Sequence, residues 1–395
     1  MFLKFNEFWL RQFIRLTTPV IFSLLVSFNA QAKQAADESE YLQAAERLVK
    51  LWNGRSHEDF SGMLSSSRIG YRALKGTSFT EKQKKAYIMG LKAGLRQAVH
   101  KMIDTVPEDS YVKLLKTSPM NDGVKALIRV DYGDSGLGYV EFYLQETTRS
   151  GIKVVDWFDY SRGQLVSEVL RQLLAVTMPS SSYIDNFFNV VSGKAVVRQE
   201  IIKLFKSIQA KDYGEFANLY RGLSEETKQN KQLMVVAVST AALSQDELLY
   251  QQVLDDLYKY HHNDPKISFL LIDYLFYQEK YSAALQSVKA FREQIGVEDA
   301  GLMVLESNLY TMSGNYDDSI GRAEKAIKIE PEYEDAYWSL LFGLSRAGEY
   351  QRAIQVAELL EDRYDYLLDD EALAADSSYD GLRNSSEFRV WRAGR

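Results

Sequence analysis

The sequence predicts a two-part chain: an α+β segment, with helices packed on an antiparallel sheet of about four strands, followed by an all-α solenoid of helical hairpins. Three observations predict it. Apolar residues recur at helical spacing as far as Ile103, alternate at a period of two between Tyr111 and Tyr160, and return to helical spacing from Gly163 onward. The segments Pro265–Asp299, Ala300–Tyr333 and Glu334–Leu368 align, each with an apolar helical half, a polar break and a second helical half. The 395 residues, 46% apolar and 26% charged, are enough for two or three globular domains with real cores.

Residues 1–32 read as a signal peptide. Lys4, Arg11 and Arg15 give a basic start, Pro19–Phe28 a short apolar core, and Ala30-Gln31-Ala32 the small-x-small pattern of a cleavage site. Cleavage after Ala32 is expected, which places the mature protein in a bacterial periplasm. An uncleaved anchor, extended upstream through Phe8, Trp9 and Phe13, is the other reading; Arg11 and Arg15 interrupt that extension.

Residues 33–180 are the expected α+β domain. Leu42, Ala45, Leu48, Val49 and Trp52 share one face of a helix that Asn53-Gly54 stops. Ser78, with Glu81 three residues on, reads as a capping box opening a helix to about Ile103. Its stripe is Ile88, Leu91, Leu95, Val99 and Met102, with Lys82, Lys85, Lys92, Arg96 and Lys101 on a solvated side. Strands are expected over 111–115, 125–132, 139–146 and 151–160, with hairpin turns at Gly133–Gly138 and Arg149–Gly151. Ala126, Ile128, Val130 and Tyr132 alternate with Leu127, Arg129 and Asp131, a half-polar strand. This order of elements resembles nuclear-transport-factor-like and cystatin-like cones, in which a curved sheet wraps a long helix.

Residues 181–368 are the expected repeats. The breaks read Lys280-Tyr281, Asn315-Tyr316 and Glu349-Tyr350, and three residues after each Tyr stands a small residue, Ala284, Ser319 or Ala353, where helices approach closely. Gly314 and Gly348 precede two of the breaks, as left-handed helix ends would. A period of about 34 with this punctuation resembles the tetratricopeptide repeat family. Phase carried backwards through Gln245–Glu247 and Lys211–Tyr213 predicts five helical pairs, starting near Val197, Lys231, Pro265, Ala300 and Glu334. A helix over Ile184–Val191 precedes them. The tail, 369–395, is acidic at first, and Glu387–Trp391 is expected to cap the solenoid.

Candidate chemistry is sparse. With no cysteine there are no disulfides, thiolate metal sites or Cys nucleophile. A net charge of −7 and one short basic run, Lys82–Lys85, argue against nucleic acid. His261-His262 point different ways on a helix, so they make an awkward metal pair, and His57 beside Glu58-Asp59 reads as readily as capping as general-base chemistry. No nucleophile elbow, phosphate loop or dinucleotide fingerprint is present. No catalytic residue, metal or cofactor is therefore assigned.

The repeats offer the better surface. The resemblance implies that the first helix of each pair lines a concave groove, presenting Phe269, Asp273 and Phe276, then Val304, Asn308 and Met312, then Trp338, Phe342 and Arg346. An apolar helix or extended apolar segment of another envelope protein is the expected partner, and self-association is open. The expected function is an exported protein–protein interaction scaffold or adaptor. The alternative is a periplasmic small-molecule or lipid-binding protein, or a minor enzyme, using a pocket where Asp156, Asp159 and Tyr160 surround Trp157 and Phe158 in the α+β domain.

Overall fold

A computed structural model describes residues 38–394 except 78, 109–110, 134–135, 149 and 178–194. The signal segment, Ser78 and the helix expected over Ile184–Val191 lie outside the described residues. The described chain forms two compact units, one running through Ile267 and one from Ser268 onward.

The first unit opens with four helices: α1 (Glu38–Asn53), α2 (His57–Met63), α3 (Ser66–Ala73) and α4 (Glu81–Asp104). Tyr41, Ala45, Leu48 and Trp52 form the buried face of α1; Ala45, Leu48 and Trp52 were expected there, while Leu42 is exposed, Val49 is half-buried and Tyr41 takes the inward position. Asn53 ends α1 and ties it to the sheet, since its side chain bonds both the N–H and the C=O of Val112 at 2.7 and 2.8 Å. The capping box of α4 falls two residues later than the sequence suggested. Thr80 accepts from the Gln83 N–H, and the Gln83 side chain accepts from the Thr80 N–H at 2.8 Å. A Thr–Gln pair closes the same reciprocal geometry as Ser–Glu, so the signal was displaced rather than absent.

Five strands follow in a simple antiparallel meander: β1 (Val112–Met120), β2 (Gly123–Asp131), β3 (Leu137–Thr147), β4 (Gly151–Asp159) and β5 (Gln164–Leu165). One strand more is present than expected, because β5 is a two-residue pairing with no periodicity of its own. Strand β1 also runs five residues further, past a register shift at Leu114/Lys116. Pro119 is tolerated because β1 is the edge. Ala126, Ile128, Val130, Phe142, Leu144, Val154 and Trp157 face the helices and share one core with Trp52, Phe60, Leu91, Leu95 and Val99. The opposite face of β2 is not solvated, as a half-polar strand would be. Leu127, Arg129 and Asp131 are all buried, and the Arg129 Nη2 donates to the Tyr111 hydroxyl at 2.9 Å. Helix α5 (Val166–Thr177) closes this α+β part.

The rest is helical. The first unit continues with α6 (Ala195–Ala210), α7 (Tyr213–Arg221), the short α8 (Glu225–Lys228), α9 (Lys231–Ser244) and α10 (Glu247–His261). Helix α11 (Pro265–Tyr277) spans the division, and the second unit continues with α12 (Tyr281–Ile295), α13 (Ala300–Met312), α14 (Tyr316–Ile329), α15 (Glu334–Ala347) and α16 (Tyr350–Tyr364). Four short elements end it: α17 (Asp370–Ala374), a 3₁₀ turn (Ser377–Tyr379), α18 (Asp380–Arg383) and α19 (Ser386–Ala393).

The backbone repeats where the sequence does so only in part. Lys211, Gln245, Glu279, Gly314 and Gly348 all take positive φ, at intervals of 34, 34, 35 and 34 residues. At four of these five breaks the next N–H reaches back five residues: Asp212 to Ser207, Lys280 to Leu275, Asn315 to Tyr310 and Glu349 to Leu344, at 2.8–3.0 Å. That is the Schellman closure, which satisfies the carbonyls that a helix end leaves open. Helical pairs therefore start at Ala195, Lys231, Pro265, Ala300 and Glu334.

Candidate partner-binding groove

In the second unit the first helices α13 and α15 lie side by side, with α14 packed between α13 and α15 and α16 behind α15. Close approach is achieved with small residues. Ala284, Ser319 and Ala353 are fully buried, and at Gly343 an added Cβ would lie 2.7 Å from the Ser319 Oγ. Around Ser319 sits a buried hydroxyl cluster. Its Oγ lies 2.6 Å from the Thr311 Oγ1 and 3.1 Å from the Ser307 Oγ, which itself donates to the Ser319 carbonyl at 2.9 Å. The Ser339 Oγ from α15 joins at 2.8 Å from both the Ser307 Oγ and the Asn308 Oδ1. Satisfied polar groups in a low-dielectric interior fix the mutual register of three helices.

A buried charge does the same at the other flank. Glu306 on α13 is 4% exposed. Its Oε1 accepts from the Arg292 Nη1 of α12 at 2.6 Å, and its Oε2 lies 3.2 Å from the Arg322 Nε of α14. The first helices are thereby held by charge and hydroxyl contacts in which, of the residues expected on their shared face, Asn308 takes part.

The residues expected on that face divide into two groups. Phe269 packs on Phe291 of its own pair at 4.8 Å between ring centroids, and Phe276 meets Tyr281 edge-on at 5.9 Å. Val304 is buried, and Asn308 is held by Ser339. Trp338 stands edge-on to Tyr366 at 5.0 Å and donates its Nε1–H to Glu334 at 3.0 Å. Phe342 faces Tyr379 at 6.4 Å. These residues are spent on internal packing. The second group remains accessible. Met312 is 43% exposed, and Asp273 and Arg346 are exposed with no hydrogen bond or ion pair among the described residues. Asp273 is open by surface area yet surrounded by protein on its other sides, and that desolvation pushes its carboxyl up to about 6.

The covering of Trp338 and Phe342 was missed in the sequence. Tyr366 and Tyr379 belong to the segment after α16, and Tyr366 adds a hydroxyl bond to Glu334. The tail closes the last pair's apolar end as expected of a cap, but with four elements rather than one. Leu368, Leu373, Leu382 and Phe388 join the core of α15 and α16, and the Trp391 Nε1 donates to Glu358 at 2.9 Å. The only signal available was apolar residues at irregular spacing in an acidic tail.

The histidines take other roles. His57 pairs with Asp104 at 2.6 Å and lies 4.8 Å, ring to ring, from His100, joining α2 to α4. His261 is turned inward and burial lowers its pKa, while His262 bonds the Tyr258 carbonyl at 2.9 Å. Among the described residues no group of three or more His, Asp or Glu is placed to hold a metal. The pocket expected at the end of β4 is divided as well: Trp157 enters the helix-side core, while Phe158 meets Tyr160 edge-on at 4.8 Å. No protein-family model matches this chain, and no curated protein matches it in sequence.

Proposed function

We propose that the protein is an exported tetratricopeptide-type scaffold or adaptor that holds a segment of another envelope protein against the first-helix face of its second unit. The observation that carries this reading is the trio Asp273, Met312 and Arg346. They are accessible and, among the described residues, unpaired on the first helices of three successive pairs. An accessible thioether between an acid and a base suits an apolar segment with a base opposite Asp273 and an acid opposite Arg346. Periplasmic placement, with residues 1–32 removed, belongs to this proposal. Among the described residues no helix is long and apolar enough to cross a membrane.

The alternative, a ligand pocket between helices and sheet in the α+β part, has less support. Trp52 meets Phe60 at 5.6 Å and Phe142 at 6.1 Å, both edge-on, and Trp157 closes on Phe142 at 5.9 Å, so aromatic rings fill the space such a ligand would take. The test is capture from envelope extracts with the full chain, beside a Met312→Glu, Arg346→Glu variant. Both positions are exposed, so the variant should fold as the parent does. Loss of one captured protein supports the face as the binding site. Capture of the same proteins by both forms removes that reading.

A further inference from the structure

The strongest unassigned feature lies in the first unit, on α3 and the start of α4. Arg68 and Arg72 stand one helical turn apart on α3, Lys75 follows one turn later, and Lys84 enters from the first turn of α4. With Tyr71, Leu74, Gly76 and Thr77 they line an open depression of about 340 Å³. Gly70 makes this juxtaposition possible, because a Cβ there would lie 2.6 Å from the Ile88 Cγ1 of α4.

The charge balance of the depression is one-sided. Like charges one turn apart on a helix repel. Among the described residues that line it there is no carboxylate, and Lys84 is paired outward with Glu81 of its own helix at 2.8 Å. The side chains of Arg68 and Lys75 have no ion pair or hydrogen bond among the described residues. Arg72 is held from within. The wholly buried Asp156 accepts from the Ser167 hydroxyl at 2.6 Å, the Ser167 N–H at 3.1 Å and the Trp157 N–H at 3.0 Å. Its Oδ2 lies 4.0 Å from the Arg72 Nη1. Arg171 donates to the carbonyl oxygens of Arg72 and Ala73 at 2.7 and 3.3 Å, which fixes the end of α3. A buried, hydrogen-bonded carboxyl group thus stands 4.0 Å behind one guanidinium, while two cations beside it are left unneutralised in a chain whose net charge is −7.

We propose that this depression binds a phosphate group, carried either by a small phosphate anion or by a phospholipid headgroup. Guanidinium and ammonium donors converging on one concavity suit tetrahedral phosphate oxygens, with Arg72 preorganised and Arg68 and Lys75 free to close. Tyr71, 45% exposed at the rim, is placed to lie beside the rest of the ligand. This site is independent of the groove in the second unit.

The test uses the full chain and two probes. Inorganic phosphate is titrated calorimetrically at low ionic strength, and vesicles of phosphatidylglycerol in phosphatidylcholine are sedimented with the protein beside pure phosphatidylcholine vesicles. Two variants of equal charge change are compared, Arg68→Glu with Lys75→Glu inside the depression and Lys82→Glu with Lys92→Glu outside it. The expected result is saturable binding that the first pair weakens about tenfold or more and the second pair at most about twofold. Binding of phosphate in solution assigns the small anion, and binding of the anionic vesicles alone assigns the headgroup. The proposal is overturned if neither probe binds, or if both pairs weaken binding equally, which would mean general charge attraction.

Discussion

Glu306→Ala is the perturbation that most directly tests how the second unit is held. The carboxylate is almost wholly buried and joins three helices through Arg292 and Arg322, so its loss leaves two guanidinium groups facing an apolar gap. Breaking a buried pair by removing one partner costs about 3–5 kcal/mol. Here the two arginine side chains are 25% and 29% exposed and recover part of their hydration, so about 2–3 kcal/mol is expected. For a unit of this size that is a fall in melting midpoint on the order of 10 °C. The assay is urea unfolding followed by circular dichroism, with hydrogen exchange over 300–329 to locate the loss in the second unit. Buried charge is poorly screened, so the deficit should persist at high salt. The triple variant Arg292→Met, Glu306→Leu, Arg322→Met should regain most of the stability, since it leaves no unpaired charge. A deficit under about 0.5 kcal/mol, the range of ordinary surface substitutions, would refute the reasoning.

Three further outcomes are expected. Gly343→Ala should cost about 1–3 kcal/mol, because its Cβ would meet the Ser319 Oγ at 2.7 Å, and adding Ser319→Ala should recover part of the loss in the same urea assay. Leu382→Ala, at a fully buried tail position, should cost about 2–4 kcal/mol and raise hydrogen exchange in α15 and α16; unchanged exchange would show that the tail is not a cap. Asp273 is held up to about 6 in the folded chain against an ordinary 3.8, so the folded state takes up more protons across that window. Stability contributed by the protonated form is present below pH 4 and lost as pH rises towards 6. Asp273→Asn should therefore raise the melting midpoint at pH 7 and not at pH 3.5, and parallel midpoint-against-pH curves for the two proteins would count against it.

How much of this was legible in the sequence depends on whether the signal was local. The helical pairs were readable because their punctuation is local: Tyr281, Tyr316 and Tyr350 each open a second helix, and Gly314 and Gly348 mark left-handed ends. The first two pairs were harder because Lys211 and Gln245, like Glu279, take positive φ without being glycine, and Glu247 stands where the other breaks carry Tyr. The closure around Lys211 accommodates a backbone strain that composition does not advertise. Strands β2 to β4 were legible from alternation. Burial of their second face was not, since alternation gives two faces without saying whether both are covered.

The candidate site was less legible, for a physical reason. A residue's place on a helix face follows from spacing, but its availability follows from what the rest of the chain lays over that face. Trp338 and Phe342 occupy the positions expected of groove residues, yet Tyr366 and Tyr379 take the contacts an incoming segment would need. Met312 and Arg346, the less conspicuous residues, are the ones left open. The basic depression shows the converse. Lys82–Lys85 looked like an isolated solvated run because charge was counted along the chain. Packing at Gly70 brings Lys84 to Arg68, Arg72 and Lys75, and Asp156, a strand residue more than seventy positions away, stands 4.0 Å behind the Arg72 guanidinium. In both places the chemistry is set by contacts between distant segments, so substitutions at the exposed members Met312, Arg346, Arg68 and Lys75 separate binding from folding. Substitutions at the half-buried Trp338 and Phe342 and at the buried Asp156 would perturb both at once.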